Sequence, residues 1–265
     1  MILTEEQQML RDAAQGWVSE RAPVAALRSL RREHAALGHD PALYREMAEM
    51  GWTGIAVPEA DGGFGFGLAG AGVVAEQLGR NLVGSPLLTT SVVVAGAIEL
   101  AGNAAQKQQW LPAIVAGEAR AALAIDEGNR HDPAGIALAA AAQDGAWVLS
   151  GSKQAVLEGP AADLFVIVAR VAGQPGDETG LALFLCPADT PGLTVTAMEQ
   201  IDSRGCARLD LAEVRLPADA LLGEAGNAWP VLTEVLDRGR AVLSAEMLGS
   251  AQQAFETTLE YLRTR

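Results

Sequence analysis

The stretch Gly51–Arg80, GWTGIAVPEADGGFGFGLAGAGVVAEQLGR, constrains the fold more than any other part of this chain, because its glycines admit two incompatible readings. Gly65-Phe66-Gly67-Leu68-Ala69-Gly70 is a literal G-x-G-x-x-G before a helical run, an arrangement that can hold a dinucleotide pyrophosphate at a helix N-terminus. Such a site also needs a strand feeding directly into the first glycine and an acid about twenty positions later for the ribose. Val57-Pro58-Glu59-Ala60-Asp61 stands where that strand should be, and Ser85-Pro86-Leu87-Leu88-Thr89-Thr90 carries no acid. The nucleotide-binding reading is therefore rejected. Pro58–Gly67 reads instead as a glycine-bent loop entering a helix over Leu68–Leu82, with Val73, Val74, Leu78 and Leu82 at helical spacing. Glu76 and Arg80, four apart, read as a solvated helix pair.

Three textures follow one another along the chain and predict a multidomain α+β fold. Residues 1–118 are helical throughout. Thr4 and Gln7 form a capping-box signature, after which Met9, Leu10, Ala13, Trp17 and Val18 share a face, and Pro41-Ala42-Leu43 opens a second helix through Met50. Gln106–Pro112 closes this part before the turn Gly117-Glu118. Residues 119–226 change to short runs rich in Val, Leu and Ile, read as strands at Ala146–Lys153, Asp163–Val171, Leu181–Cys186 and Leu193–Met198. Their close spacing, with no helices between, predicts an antiparallel sheet package. Residues 227–265 read as one long helix with apolar positions from Leu232 to Leu262 and no Gly or Pro stop after them. Each buried Leu, Val, Phe or Met contributes roughly 1.5 to 3 kcal/mol, so this face is expected to be covered.

Composition excludes several functions. A net charge of −14 and a sequence pI near 4.6 leave no basic stripe for a nucleic acid. His34 and His39 fall in an expected surface segment and His131 in a loop, so no metal-ligand cluster is predicted. Cys186 and Cys206 lack metal-ligand spacing and read as reduced, partly buried thiols. Met1-Ile2-Leu3-Thr4 runs straight into an amphipathic helix, which predicts no signal peptide. The apolar window Leu82–Ala101 is broken by Ser85, Pro86, Thr89, Thr90, Ser91 and Glu99, which predicts a buried helix and no membrane span. Gly151-Ser152-Lys153 lacks the glycine pattern of a nucleophile elbow. Lys153, one of two lysines, reads as an exposed charge at a strand end. Scarce lysine beside abundant Arg and Ala suggests a bacterial cytoplasmic protein.

Gly54-Ile55-Ala56-Val57-Pro58-Glu59, Gly62-Gly63 and Gly65, followed by Glu76-Gln77-Leu78-Gly79-Arg80, resemble the "G-I-A-V-P-E-x-x-G-G-x-G … E-x-L-G-R" signature of the acyl-CoA dehydrogenase family. Gly151-Ser152-Lys153 with Ala162-Asp163 matches its "G-x-K…A-D" spacing. The resemblance implies an N-terminal helical domain, a middle β-barrel, and in residues 227–265 the first helix of a C-terminal helical bundle. It implies FAD as cofactor, an acyl-CoA substrate desaturated between its α and β carbons, an electron-transfer flavoprotein as acceptor, and a homo- or hetero-oligomer. It covers essentially all of this chain but only the earlier part of a usual member.

By the same resemblance the cofactor-binding positions are Ile125, Asp126, Glu127, Ala155, Val156 and Leu157, and the substrate-binding ones His131, Asp132, Asp237 and Arg240. Several depart from the family pattern. Asp126 stands where a hydroxyl usually touches the flavin, Ala155 replaces an aromatic residue, Leu157 replaces a threonine, and His131 replaces a serine. An anionic Asp126 beside a reduced flavin would oppose the chemistry. The usual base lies beyond Arg265, and the position that carries it in a minority of the family is Gly239, so no catalytic base is visible. Asp237 is expected to pair with Arg240 or water. The alternative reading is a degenerate partner subunit that completes the site of a homologous chain.

Overall fold

In the computed structural model, which describes residues 3–265, Thr4 opens the first helix with the expected reciprocal cap. Its hydroxyl accepts from the Gln7 amide, and the Gln7 side chain accepts from the Thr4 amide. Along α1 (Glu5–Arg21) the inward residues are Leu10, Ala14, Trp17 and Val18, while Met9 and Ala13 face solvent. The expected face is thus rotated, and the observed one keeps the stricter i, i+4, i+7, i+8 spacing. α2 (Val24–Glu33) and α3 (Pro41–Glu49) follow, the latter capped by Asp40, whose carboxylate accepts from the Ala42 amide. Between them the chain turns through Gly38, whose φ of +72° brings its backbone against Gly205. That turn places His39 wholly inside, its ring edge-on to Tyr44, contrary to the expected surface position.

α4 (Gly67–Arg80) ends before Leu82, which sits half-exposed in the left-handed region and does not belong to the helical stripe. A π-helical stretch at Leu88–Val94 runs on into α5 (Ala95–Ala101), so the apolar window is helical and buried in its middle, Thr89–Ile98, while Leu82 and Leu100 are half-exposed. No helix of the described residues is long and apolar enough to cross a membrane. α6 (Ala104–Val115) carries Pro112 within it and ends at the Gly117 turn.

The strands are β1 (Ala121–Ala124), β2 (Ala139–Gln143), β3 (Ala146–Leu157), β4 (Leu164–Arg170), β5 (Leu181–Pro187), β6 (Leu193–Met198), β7 (Cys206–Pro217) and β8 (Leu221–Leu222). Their order, β6-β7-β3-β2-β4-β5-β8 with β1 also on β4, corrects two expectations. The sheet is mixed, because β1 and β2 both pair with β4 in parallel. It is not a closed barrel. β6 and β8 are free edges, and the two-residue β8 is too short to bridge the gap.

The two leaves of this sheet meet through a single residue pair, Ala139 with Arg170. Arg170 is buried, and its guanidinium donates to the carbonyls of Ile136, Ala172, Thr179, Ala134 and Asp177 at 2.7 to 3.2 Å. All five of its N–H donors are thereby satisfied by backbone. Phe165, Ile167, Phe184, Leu209 and Leu211 fill the space between the leaves. Cys186 and Cys206 are free and buried.

α7 (Trp229–Thr264) crosses α4 at unusually close range. A Cβ on Gly249 would stand 1.8 Å from Glu76 O, and one on Gly79 would stand 2.0 Å from Glu246 O. Ser250 Oγ donates to Gly79 O at 2.9 Å, and Arg80 pairs with Glu256 on α7 where a Glu76 pair had been expected. Only glycine permits this approach, so Gly249→Ala is expected to lower stability by about 2 kcal/mol through overpacking. Urea denaturation of the two chains checks this. Farther along, Met247, Leu248, Phe255 and Leu262 are exposed, leaving the distal apolar strip of α7 uncovered among the described residues.

Candidate functional site

β3 builds the site by breaking its own alternation. Its register with β7 shifts between Lys153 and Val156, and Ala155 takes φ +51° at the irregularity. Such a bulge re-aims the side chains that follow it. Val156 turns into the core, while Ala155 and Leu157 face outward.

Lys153, expected at the surface, is wholly buried. Its Nζ donates to Ile125 O at 2.9 Å and to Glu127 Oε1 at 2.7 Å. The Glu127 carboxylate also accepts from the amides of Ala137 and Leu138, at 2.9 and 3.0 Å. Burial pushes the Lys153 ammonium down to about 8, against the attraction of Glu127 and Asp126. The Gln154 amide adds a bond to Asp126 O at 2.7 Å. Loop 125–127 is therefore fastened to β3 by a lysine, a carboxylate and a main-chain bond.

Asp126 is less free than its sequence position suggests. Its carboxylate lies 3.0 Å from His131 Nδ1 and accepts from the Asp132 amide at 3.2 Å. His131 and Asp132 are exposed, and the loop beside them opens on a hollow of about 420 Å³ that includes Arg130. The structure thus joins 125–127 to 131–132 and to Lys153 and Gln154 in one patch, while Ala155 and Leu157 are the next outward-facing positions along β3. Because the Asp126–His131 pair is half in solvent, His131→Ala is expected to cost less than about 1 kcal/mol. A thermal melt showing a much larger loss would mean that this pair, and not Lys153 with Glu127, holds the loop.

Asp237 and Arg240 do not join the patch. They pair with each other at 2.7 Å on the solvent side of α7. Gly239 is buried, and a Cβ there would stand 2.9 Å from Val93 Cγ2. The link between α7 and the loop is apolar, since Ile125 shares a core with Leu232 and Val235.

Two residues of the site region escape the sequence reading. Lys153 carries a signal, since it stands within a strand that is otherwise largely apolar, but its partner Glu127 lies 26 positions away. Glu158, just past β3, has φ +59° and is 2% exposed. Neither of its carboxyl oxygens has a hydrogen-bond partner among the described residues, and Arg204 Nη1 stands 3.8 Å from Oε1. Burial pushes this carboxyl up to about 8; Arg204 pulls it down, whereas Glu246 and Asp202 raise it further.

Residues 4–118 match the family "Acyl-CoA dehydrogenase, N-terminal domain", and residues 122–216 match "Acyl-CoA dehydrogenase, middle domain". The short-chain specific mitochondrial acyl-CoA dehydrogenase of Mus musculus is 30% identical over 270 residues, which are 99% of this chain and 64% of that protein. Acyl-CoA dehydrogenase fadE12 of Mycobacterium tuberculosis is 30% identical over 268 residues, covering 100% of this chain and 68% of that one. Among solved structures, butyryl-CoA dehydrogenase from Megasphaera elsdenii superposes with a TM-score of 0.89 at 26% identity, over 100% of this chain and 70% of that chain. The chain thus spans less than two-thirds of the mouse protein's length.

Proposed function

The chain belongs to the acyl-CoA dehydrogenase family, and from that premise we propose that it forms the flavin-facing and thioester-facing part of an enzyme that desaturates an acyl-CoA between its α and β carbons. The observation that carries this reading is the buried Lys153–Glu127 pair, which fixes loop 125–127 to β3 just ahead of the outward-facing Ala155 and Leu157. Ala155 and Leu157 offer a small apolar platform, and the carboxylate beside it already has His131 and an amide as partners. These residues fit a flat ring system such as the flavin of FAD. Bound FAD supplies the two-electron acceptor for the hydrogen leaving the β carbon.

The chain's own residues orient and shield. Lys153 and Glu127 hold the loop, Val156 anchors the strand, and Ile125 ties the patch to the first turns of α7. Arg130 and Asp132 line the hollow in which the polar arm of a thioester would lie, and His131 stands beside it. An electron-transfer flavoprotein as acceptor and assembly into an oligomer belong to this reading.

A second reading is favoured by one observation. Gly239 is packed on Val93, so α7 presents no proton-accepting side chain at that position. The chain would then complete the site of a base-bearing homologue as a partner subunit. Visible absorption of the purified chain with FAD, followed by anaerobic titration with butyryl-CoA, decides between them. Stoichiometric flavin that bleaches supports a dehydrogenase acting alone. Bleaching only after a base-bearing homologue is added supports the partner subunit. Failure to retain flavin in either arrangement overturns both.

A further inference from the structure

A cavity of about 260 Å³ lies where the loop before α4, the start of α4, the π-helical stretch, α5 and α7 converge. It is partly open to solvent and has room for a short chain. Ala56, Val57, Leu68, Val92 and Ala95 give it apolar walls. Three charged side chains interrupt them. Arg238 Nη1 donates to Glu99 at 2.7 Å and its Nε donates to Glu234 at 2.9 Å, joining α5 to α7. Gly96 lies against this arginine, where an added Cβ would be in ordinary contact with Nη1 at 3.5 Å. Arg238 is the immediate neighbour in sequence of Gly239, which itself faces Val93.

A merely structural ion group needs no hollow beside it, and a pocket for a plain alkyl chain needs no charges. An alkyl end against this group would strip water from it and return nothing. A carboxylate end would meet two negative charges and one positive. A neutral oxygen meets neither penalty. Arg238 uses two of its five N–H donors on Glu99 and Glu234, and the other three have no acceptor among the described residues. A hydroxyl could accept from Arg238 and donate to Glu99.

We infer that this cavity takes the distal end of a short acyl thioester bearing a neutral oxygen, a hydroxyl above all, with Arg238 and Glu99 as specificity-determining residues. The inference rests on the acyl-thioester reading above. Calorimetric titration of the chain with 4-hydroxybutyryl-CoA, butyryl-CoA, succinyl-CoA and CoA tests it. The hydroxyl-bearing thioester is expected to bind about tenfold or more tighter than butyryl-CoA, as for a hydrogen bond to a charged group, and tighter than succinyl-CoA. The double substitution Arg238→Met with Glu99→Leu replaces the ion pair with apolar groups of similar size, which proteins often tolerate. It is expected to abolish the preference. Should that variant not fold, Glu99→Gln keeps the shape, removes one negative charge and is expected to raise the relative affinity of succinyl-CoA. Equal binding of butyryl-CoA and 4-hydroxybutyryl-CoA by the native chain, tightest binding of succinyl-CoA, or a ranking unmoved by the substitutions overturns the inference and leaves the acyl-thioester reading standing. Binding of none of the three thioesters overturns that reading and the inference with it.

Discussion

Replacing Glu127 by glutamine is expected to lower the unfolding free energy by about 3 kcal/mol, because it leaves the Lys153 ammonium buried without its counter-charge. Glutamine retains one oxygen for the amides of Ala137 and Leu138, so the loss reports mainly on the charge pair. The pH dependence gives an independent check. Lys153 is pushed from 10.5 down to about 8 in the folded chain. Between those values the unfolded chain holds a proton that the folded chain has released, so this group makes stability rise with pH from about 8 to 10.5. Below that window its contribution is constant and unfavourable. In Glu127→Gln the folded value falls further, and the rise begins at lower pH. Chemical denaturation at a series of pH values measures both effects, and an unchanged profile would remove Glu127 from its assigned role. On the flavin-binding reading proposed above, the same variant is expected to weaken flavin retention, since loop 125–127 loses its buried anchor.

Glu158→Asn is expected to act in the opposite direction, raising stability by about 3 kcal/mol above pH 8. Two costs are removed together. The backbone there is left-handed, a conformation asparagine adopts more readily than glutamate. The carboxyl has no hydrogen-bond partner among the described residues, whereas Arg204 keeps Glu246 on α7. Folding raises this carboxyl from 4.5 to about 8. The folded chain therefore holds a proton that the unfolded chain has lost, and stability falls as pH rises from 4.5 to about 8. Asparagine removes that slope, so the gap between variant and native is smallest near pH 4.5 and full above 8. The contributions of Glu158 and Lys153 thus slope in opposite directions and meet near pH 8. A variant no more stable than the native chain at pH 9 would refute the account of Glu158.

Features whose cause lies within a few residues were legible in the sequence. The Thr4 cap, the helices from α3 to α6 and the cores of β4 and β5 are written in caps, periodicity and Val/Ile/Leu runs. β1 and β2 are mostly alanine, which carries no strand signal, and only their neighbours make them strands. β7 was missed although Leu209, Leu211, Val214 and Leu216 do alternate inward, because the irregularity at Glu213 interrupts the count. The parallel pairing of β1 with β4 crosses more than forty positions and leaves no local trace. In the site, resemblance named 125–127, 131–132, 155–157, Asp237 and Arg240; the fold joins 125–127 to 131–132, sets 155–157 next along β3, and leaves Asp237 and Arg240 on the solvent side of α7. The group that fastens them, Lys153 with Glu127, was misread because burial is decided by distant chain. Glu76 and His39 were misread for the same reason, one by the arrival of α7 and the other by the turn at Gly38.

Arg170 sets how the sheet comes apart. Two of its five carbonyl partners, Ala134 and Ile136, lie on the approach to β2 and three on the β4–β5 connection of its own leaf, so parting the leaves breaks the bonds to Ala134 and Ile136. A seam of one residue pair would by itself let the leaves open at different times. The arginine and the core shared between the leaves remove that freedom and make them a single cooperative unit, so amide protons in β3 and in β5 should exchange with water through the same opening event.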